Sequence, residues 1–120
     1  MKKLAWAALA FSLTAPAHAK ISEFSLDNGM KVLVKEDHRA AVVVQQVWYR
    51  VGSTYETPGK TGLSHMLEHM MFKGTKSLQP GEFSKIVSRL GGEENAFTSA
   101  NYTAYYQVVG KQHLEKVMQL

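Results

Sequence analysis

The 120 residues carry 14 Lys and Arg against 10 Asp and Glu and contain no cysteine, so they hold no thiol nucleophile, no thiolate metal site and no disulfide. The basic residues form no run, which leaves nucleic-acid binding without support. Any metal held here must use histidine and carboxylate, and about 100 residues beyond a leader suffice for one small core.

Residues 1–19 read as a secretory leader. Lys2 and Lys3 give the positive start, residues 4–13 the short apolar core, and Ala17-His18-Ala19 follows Pro16 as a small-x-small cleavage site. Cleavage near Ala19 starts the mature chain at Lys20, with 12 basic against 10 acidic residues. An apolar core of about ten residues is too short to span a bilayer, and no later stretch approaches the ~18 required. The expectation is a protein without a stable membrane anchor, exported to the bacterial periplasm or beyond the cell.

Residues 21–26 and 30–35 alternate apolar and polar side chains around Asp27-Asn28-Gly29, which predicts a β-hairpin. Residues 41–51 are rich in β-branched and aromatic side chains and predict a central strand. Residues 52–61, with Pro58 and Gly59, then form a loop.

A helix follows that loop, and within it His65, Glu68 and His69 spell H-x-x-E-H, the reverse order of the common zinc-protease motif. Positions i and i+4 lie about 40° apart on a helix, with i+3 beside them. Two imidazoles could therefore reach one ion, and Glu68 could take a proton from a water that the ion activates. On a helical wheel with Leu63 at the origin, Leu63, Met66, Leu67, Met70 and Met71 form the apolar stripe, whereas Glu68, His65 and His69 fall at about 140°, 200° and 240°. The wheel points the polar trio away from the core. It leaves open whether these side chains are solvated or belong to a site covered by another part of the structure.

Gly74 and Thr75 stop this helix, and Pro80 starts a second one in which Phe83, Ile86, Val87 and Leu90 keep i, i+3, i+4, i+7 spacing up to Gly91-Gly92. Residues 93–110 return to strand character as two segments around Ala100-Asn101. Residues 111–120 read as an amphipathic helix with Leu114, Val117 and Met118 on its apolar face and no C-cap signal, as though cut inside an element. Tyr102, Tyr105 and Tyr106 read as packing residues, and His38 and His113 as solvated. Strands and helices that do not alternate one for one indicate an α+β fold, an antiparallel sheet with helices packed on one face.

Three stretches together resemble the pitrilysin and insulinase group of zinc peptidases, which includes the mitochondrial processing peptidase subunits. They are Val51-Gly52-Ser53 with Glu56, then Gly62 to His69 with Phe72-Lys73-Gly74-Thr75, and Gly91-Gly92 with Asn95-Ala96-Phe97-Thr98. The resemblance implies a processing-peptidase-like fold, of which residues 20–120 form the N-terminal part. It makes His65 and His69 ligands of one Zn2+, Glu68 the general base, and Asn95, Ala96 and Phe97 a cleft-lining strand that binds an extended peptide. Asn101 stands where the family often has Asp. The third ligand of the family, a glutamate, falls beyond Leu120. Glu82, Glu93, Glu94 and Glu115 are the only acidic residues after the motif, and none occupies its position.

The resulting expectation is a zinc metalloendopeptidase acting on peptides or unfolded polypeptides, incomplete and inactive over these residues alone. A second homologous domain or subunit would close its chamber. A non-catalytic peptide-binding or assembly subunit on the same fold is the alternative.

Overall fold

The computed structural model describes residues 21–120, so the leader expected over residues 1–19 lies outside the described residues. The chain divides into two units, one ending at Arg39 and the other spanning Ala40–Leu120.

The first unit holds the predicted hairpin. Strands β1 (Ile21–Ser25) and β2 (Lys31–Lys35) pair antiparallel with Ile21 opposite Lys35. The reversal follows from its sequence, because the Asn28 side chain accepts from the Met30 N–H at 3.0 Å, imitating a backbone turn, and Leu26 and Gly29 close the loop at 2.9 Å. Lys31 and Glu23, diagonal across the pair, lie 2.5 Å apart. Beyond the hairpin, Arg39 grips Asp37 through its guanidinium and holds that carboxyl down at about 2.

The second unit is a three-stranded antiparallel sheet with helices on one face. Strand β3 (Val42–Tyr49) pairs with β5 (Thr103–Gly110), and β5 pairs with β4 (Glu93–Thr98). Among the described residues the strand expected to be central, residues 41–51, stands at an edge of this sheet and β5 takes the middle. Composition could not separate them, because β5 is as rich in valine and tyrosine as β3; pairing on both sides is what makes β5 the most buried strand.

Helices α1 (Leu63–Met70), α2 (Glu82–Arg89) and α3 (Leu114–Met118) cover the sheet, α1 and α2 near β4 and α3 near β3 and β5. The core joins Val87 of α2, Val109 of β5 and Val117 of α3, with Val43, Phe83, Leu90, Leu114 and Leu120 packed around them. The predicted stripe of α2 thus meets the core through Val87, Phe83 and Leu90, with Val87 fully buried. Met118 of α3 departs from its predicted apolar face and is 66% exposed. The last residues run as a 3-10 turn over Lys111–His113 before only five α-helical ones, and that shorter element presents fewer positions to the sheet.

Helix α2 begins at Glu82 rather than at Pro80. Pro80 and Gly81 form the middle of a turn closed by the Glu82 N–H on the Gln79 carbonyl at 2.9 Å, with Gly81 at φ 73°, the glycine position that a proline-led turn of this type requires. At the other end Gly91 sits at φ 70°, its N–H bonds Ser88 O, and the Gly92 N–H bonds Val87 O. This is the two-bond C-cap that glycine permits without strain. A side chain on Gly92 would lie 2.5 Å from Val109 Cγ1, so the helix can enter β4 close against the core only through glycine.

Among the described residues no helix is long and apolar enough to cross a membrane.

Candidate functional site

The H-x-x-E-H residues converge. His65 Nε2 and His69 Nε2 stand 3.1 Å apart, and one ligand atom from each of His65, Glu68 and His69 lies within 4.8 Å of the others. Two nitrogens bound to one tetrahedral zinc at about 2.0–2.1 Å sit about 3.3 Å apart, so the imidazole pair already has the separation that a shared ion requires. The donor set of two neutral imidazoles and a carboxylate also suits zinc, and the residues present fit the ion.

Burial in α1 departs from the helical wheel at Glu68, while His65 and His69 stay exposed. Glu68 is the buried residue of the helix at 8% exposure, whereas Leu63, Met66, Leu67, Met70 and Met71 are each at least half exposed. A wheel records which side chains are apolar and says nothing of what packs across from them. Here the polar side of α1 meets the end of β4, where the Thr98 hydroxyl donates to Glu68 Oε2 at 2.7 Å. That bond compensates the cost of taking a carboxylate out of water. Part of the apolar side, through Leu63, Leu67 and Met71, lines an open groove of about 460 Å3 together with Tyr49, Tyr55 and Tyr105. Burial, and then the charge of Glu68, raise the pKa of the Tyr105 phenol.

Thr98 was not among the residues that sequence reasoning assigned to the site. The signal available was its place at the end of the predicted strand, directly after Asn95-Ala96-Phe97, but threonine there reads as ordinary strand composition. Its hydroxyl is backed by Thr103, whose Oγ1 lies 3.5 Å away and donates to Val51 O at 3.0 Å.

Beside the trio is a cleft of about 540 Å3 bounded by Ser53, His65, Glu68, Ala96, Thr98 and Ser99. Among the described residues β4 pairs only with β5, so its other edge borders this cleft with free backbone groups. The Ala96 N–H is taken up by the Asn95 side chain, Oδ1 accepting at 2.8 Å. Strand alternation puts Ala96 and Thr98 on the helix-bearing face and Asn95 and Phe97 on the other. Phe97 accordingly stacks edge-on with Trp48 and Tyr102, at centroid distances of 5.8 and 5.9 Å. The Ser99 N–H bonds Tyr102 O at 2.8 Å, so alternation turns the N–H and C=O of Phe97 toward β5 and leaves those of Ala96 and Thr98 on the free edge.

The loop before α1 is fastened at both ends. Ser53 and Thr54 donate their N–H groups to Ser99 O at 3.2 Å and Ala100 O at 2.9 Å. A Cβ on Gly52 would fall 2.1 Å from Ser99 O, which restricts that position to glycine. Four residues on, Glu56 accepts the Ser64 N–H on Oε1 and the Gly62 N–H on Oε2, both at 2.7 Å. Those two bonds, the Ser64 bond first, lower the pKa of its carboxyl from the usual glutamate value of 4.5.

The later acidic residues do not join the trio. Glu94 is on the same strand as Thr98 and the same face, but four residues away, about 13 Å at strand rise. Among the described residues no carboxylate other than Glu68 gathers around the histidines.

The family model described as Insulinase (Peptidase family M16) matches residues 31–120. The chain is 42% identical over 118 residues to a Helicobacter pylori protein named zinc protease PqqE, covering 93% of this chain and 27% of that protein. It is 36% identical over 110 residues to the mitochondrial-processing peptidase subunit beta of Dictyostelium discoideum, covering 88% of this chain and 23% of that one. The crystal structure of pitrilysin superposes with a TM-score of 0.77 at 31% identity, covering 85% of this chain and 11% of that one. The chain thus spans about a quarter of the length of these two curated relatives. It belongs to the insulinase family of peptidases, family M16.

Proposed function

We propose that this member of the M16 family carries the metal-binding and base-bearing part of a zinc metalloendopeptidase that hydrolyses peptides or unfolded polypeptides. The observation that carries the reading is the convergence of two imidazole nitrogens 3.1 Å apart with a buried carboxylate held by Thr98, beside a free strand edge. His65 and His69 would hold the zinc, and the third ligand would come from residues beyond Leu120. When bound, the ion would polarise the scissile carbonyl and lower the pKa of a water to about 7.

The remaining chemistry belongs to this chain. Glu68 accepts the proton of the attacking water and can pass it to the leaving amine. Because Oε2 is engaged by Thr98, the proton is received on Oε1, and the carboxylate is fixed in rotation before substrate arrives. An extended peptide would add as a strand along Asn95, Ala96 and Phe97 on the outer edge of β4, its backbone bonds falling at Ala96, whose polar groups face outward. Asn95 must then release the Ala96 N–H, which presents it to the peptide. Backbone pairing reads little of the side chains, so broad specificity follows.

A second homologous domain or subunit would close the chamber over this edge, and the leader over residues 1–19 would deliver the protein to the bacterial periplasm or beyond. A second reading is a non-catalytic peptide-binding or assembly subunit on the same fold, in keeping with the similarity to a chain named as a subunit of a peptidase. The intact trio and the orienting Thr98 bond argue for catalysis, since a partner freed from chemistry has no physical need of them.

The test is Glu68→Gln in the complete protein. Zinc should remain bound at wild-type stoichiometry while peptide hydrolysis falls by about 10²- to 10⁴-fold, the range of a lost general base. Hydrolysis at the wild-type rate would overturn the role of Glu68, and wild-type protein that binds zinc without cleaving peptides would favour the second reading.

A further inference from the structure

Helix α1 carries the whole motif, and within the described residues its clearest anchors are polar. It is two turns long, its apolar residues are half or more exposed, and its N-cap is Gly62, which has no side chain to bond the free N–H groups of the first turn. Two polar clamps hold it. One is Thr98, on Glu68. The other is Glu56, whose two oxygens take the N–H groups of Gly62 and Ser64, immediately before His65.

These clamps belong to one closed circuit. From Glu68 it runs through Thr98 into the β4–β5 turn, then from the Ser99 and Ala100 carbonyls to the Ser53 and Thr54 N–H groups. It continues along the 3-10 turn Ser53–Tyr55 to Glu56, and across to the start of α1. Only glycine at position 52 lets the loop approach Ser99 O closely enough to make these bonds. The circuit fixes where the first turn of α1 stands against the end of β4, and so where His65 stands against Glu68 and the strand edge.

We propose that Glu56 is a positioning residue of the metal site: by holding the first turn of α1 to the loop fastened on β4, it sets the placement of His65 for the ion. This rests on the reading of His65 and His69 as zinc ligands. Removal of a group that orients a ligand typically weakens metal binding about 10- to 100-fold, without touching the ion or the substrate.

The experiment uses the complete protein with Glu56→Ala and Glu56→Gln, measuring zinc affinity by competition with a chelator at pH 7, unfolding of the zinc-free forms, and kcat and KM on a peptide. The alanine variant should bind zinc about 10- to 100-fold more weakly, at temperatures where its zinc-free form is still folded. The glutamine variant keeps one carbonyl oxygen for one of the two N–H groups and should fall between alanine and wild type. It decides the matter if the alanine variant does not fold. At saturating zinc KM should stay near wild type while kcat falls. Zinc affinity within twofold of wild type in both variants would overturn the proposal, including the case in which only the unfolding temperature drops, because Glu56 would then be a helix cap and nothing more. Wild-type protein that binds no stoichiometric zinc would overturn the metal reading itself, and the proposal with it.

Discussion

Substituting valine for Thr98 preserves side-chain volume and β-branching but deletes the hydroxyl that donates to Glu68 Oε2 at 2.7 Å. Glu68 is only 8% exposed, so little water is at hand to replace the donor. A hydrogen bond to a charged group contributes about 1.5–3 kcal/mol, and each 1.4 kcal/mol is a factor of about ten. If the bond serves to hold the carboxylate for proton transfer, kcat of the complete protein should fall about 10- to 100-fold. KM should stay within about twofold, since Thr98 does not hold the peptide. The assay is steady-state cleavage of a fluorogenic peptide, with zinc content measured on the same samples. Thr98→Ser restores the donor and should recover most of the rate. A valine variant with wild-type kcat and full zinc content, or a serine variant no better than valine, would refute the orienting role.

His69→Ala leaves one imidazole at the site, and stoichiometric zinc should be lost from the complete protein by elemental analysis; full retention would show that the ion is held elsewhere. Gly52→Ala places a methyl 2.1 Å from Ser99 O, a backbone atom that cannot move aside alone, and should cost about 2–3 kcal/mol in denaturant unfolding. An unchanged midpoint would show that the loop is free to shift. The pKa of Glu56 is lowered by its two N–H donors from a usual value of 4.5, so its contribution to stability is present above that value and disappears as pH falls through the lowered one. The melting-temperature gap between wild type and Glu56→Gln should therefore be full above about pH 5 and narrow below it; a gap that widens on acidification would contradict the assignment.

Much of the fold was legible because the signals that specify it are local. Asp27-Asn28-Gly29 dictated the hairpin through a side chain that bonds its own backbone two residues on, and the spacing of Phe83, Val87 and Leu90 placed one stripe of α2 on the core. The order of strands was not legible. Residues 42–49 and 103–110 are equally suited to a sheet interior, and only pairing on both sides distinguishes β5. Likewise Pro80 fits the first turn of a helix or the second position of a turn, and Gly81 at positive φ decided for the turn.

The sequence by itself determined that two imidazoles and a carboxylate share one helix face, because 3.6 residues per turn leaves no other arrangement for His65, Glu68 and His69. Only the tertiary structure decided that Glu68 is the residue of that helix taken out of water. Apolar character predicts burial of the methionine and leucine stripe, yet burial depends on what lies opposite, and the end of β4 offers Thr98 to Glu68 across 30 positions of sequence. The same holds for Glu56, whose partners are backbone N–H groups that no side-chain pattern reveals. Contacts of this kind link residues that are distant in sequence or invisible in it, so they exist only once the chain has folded.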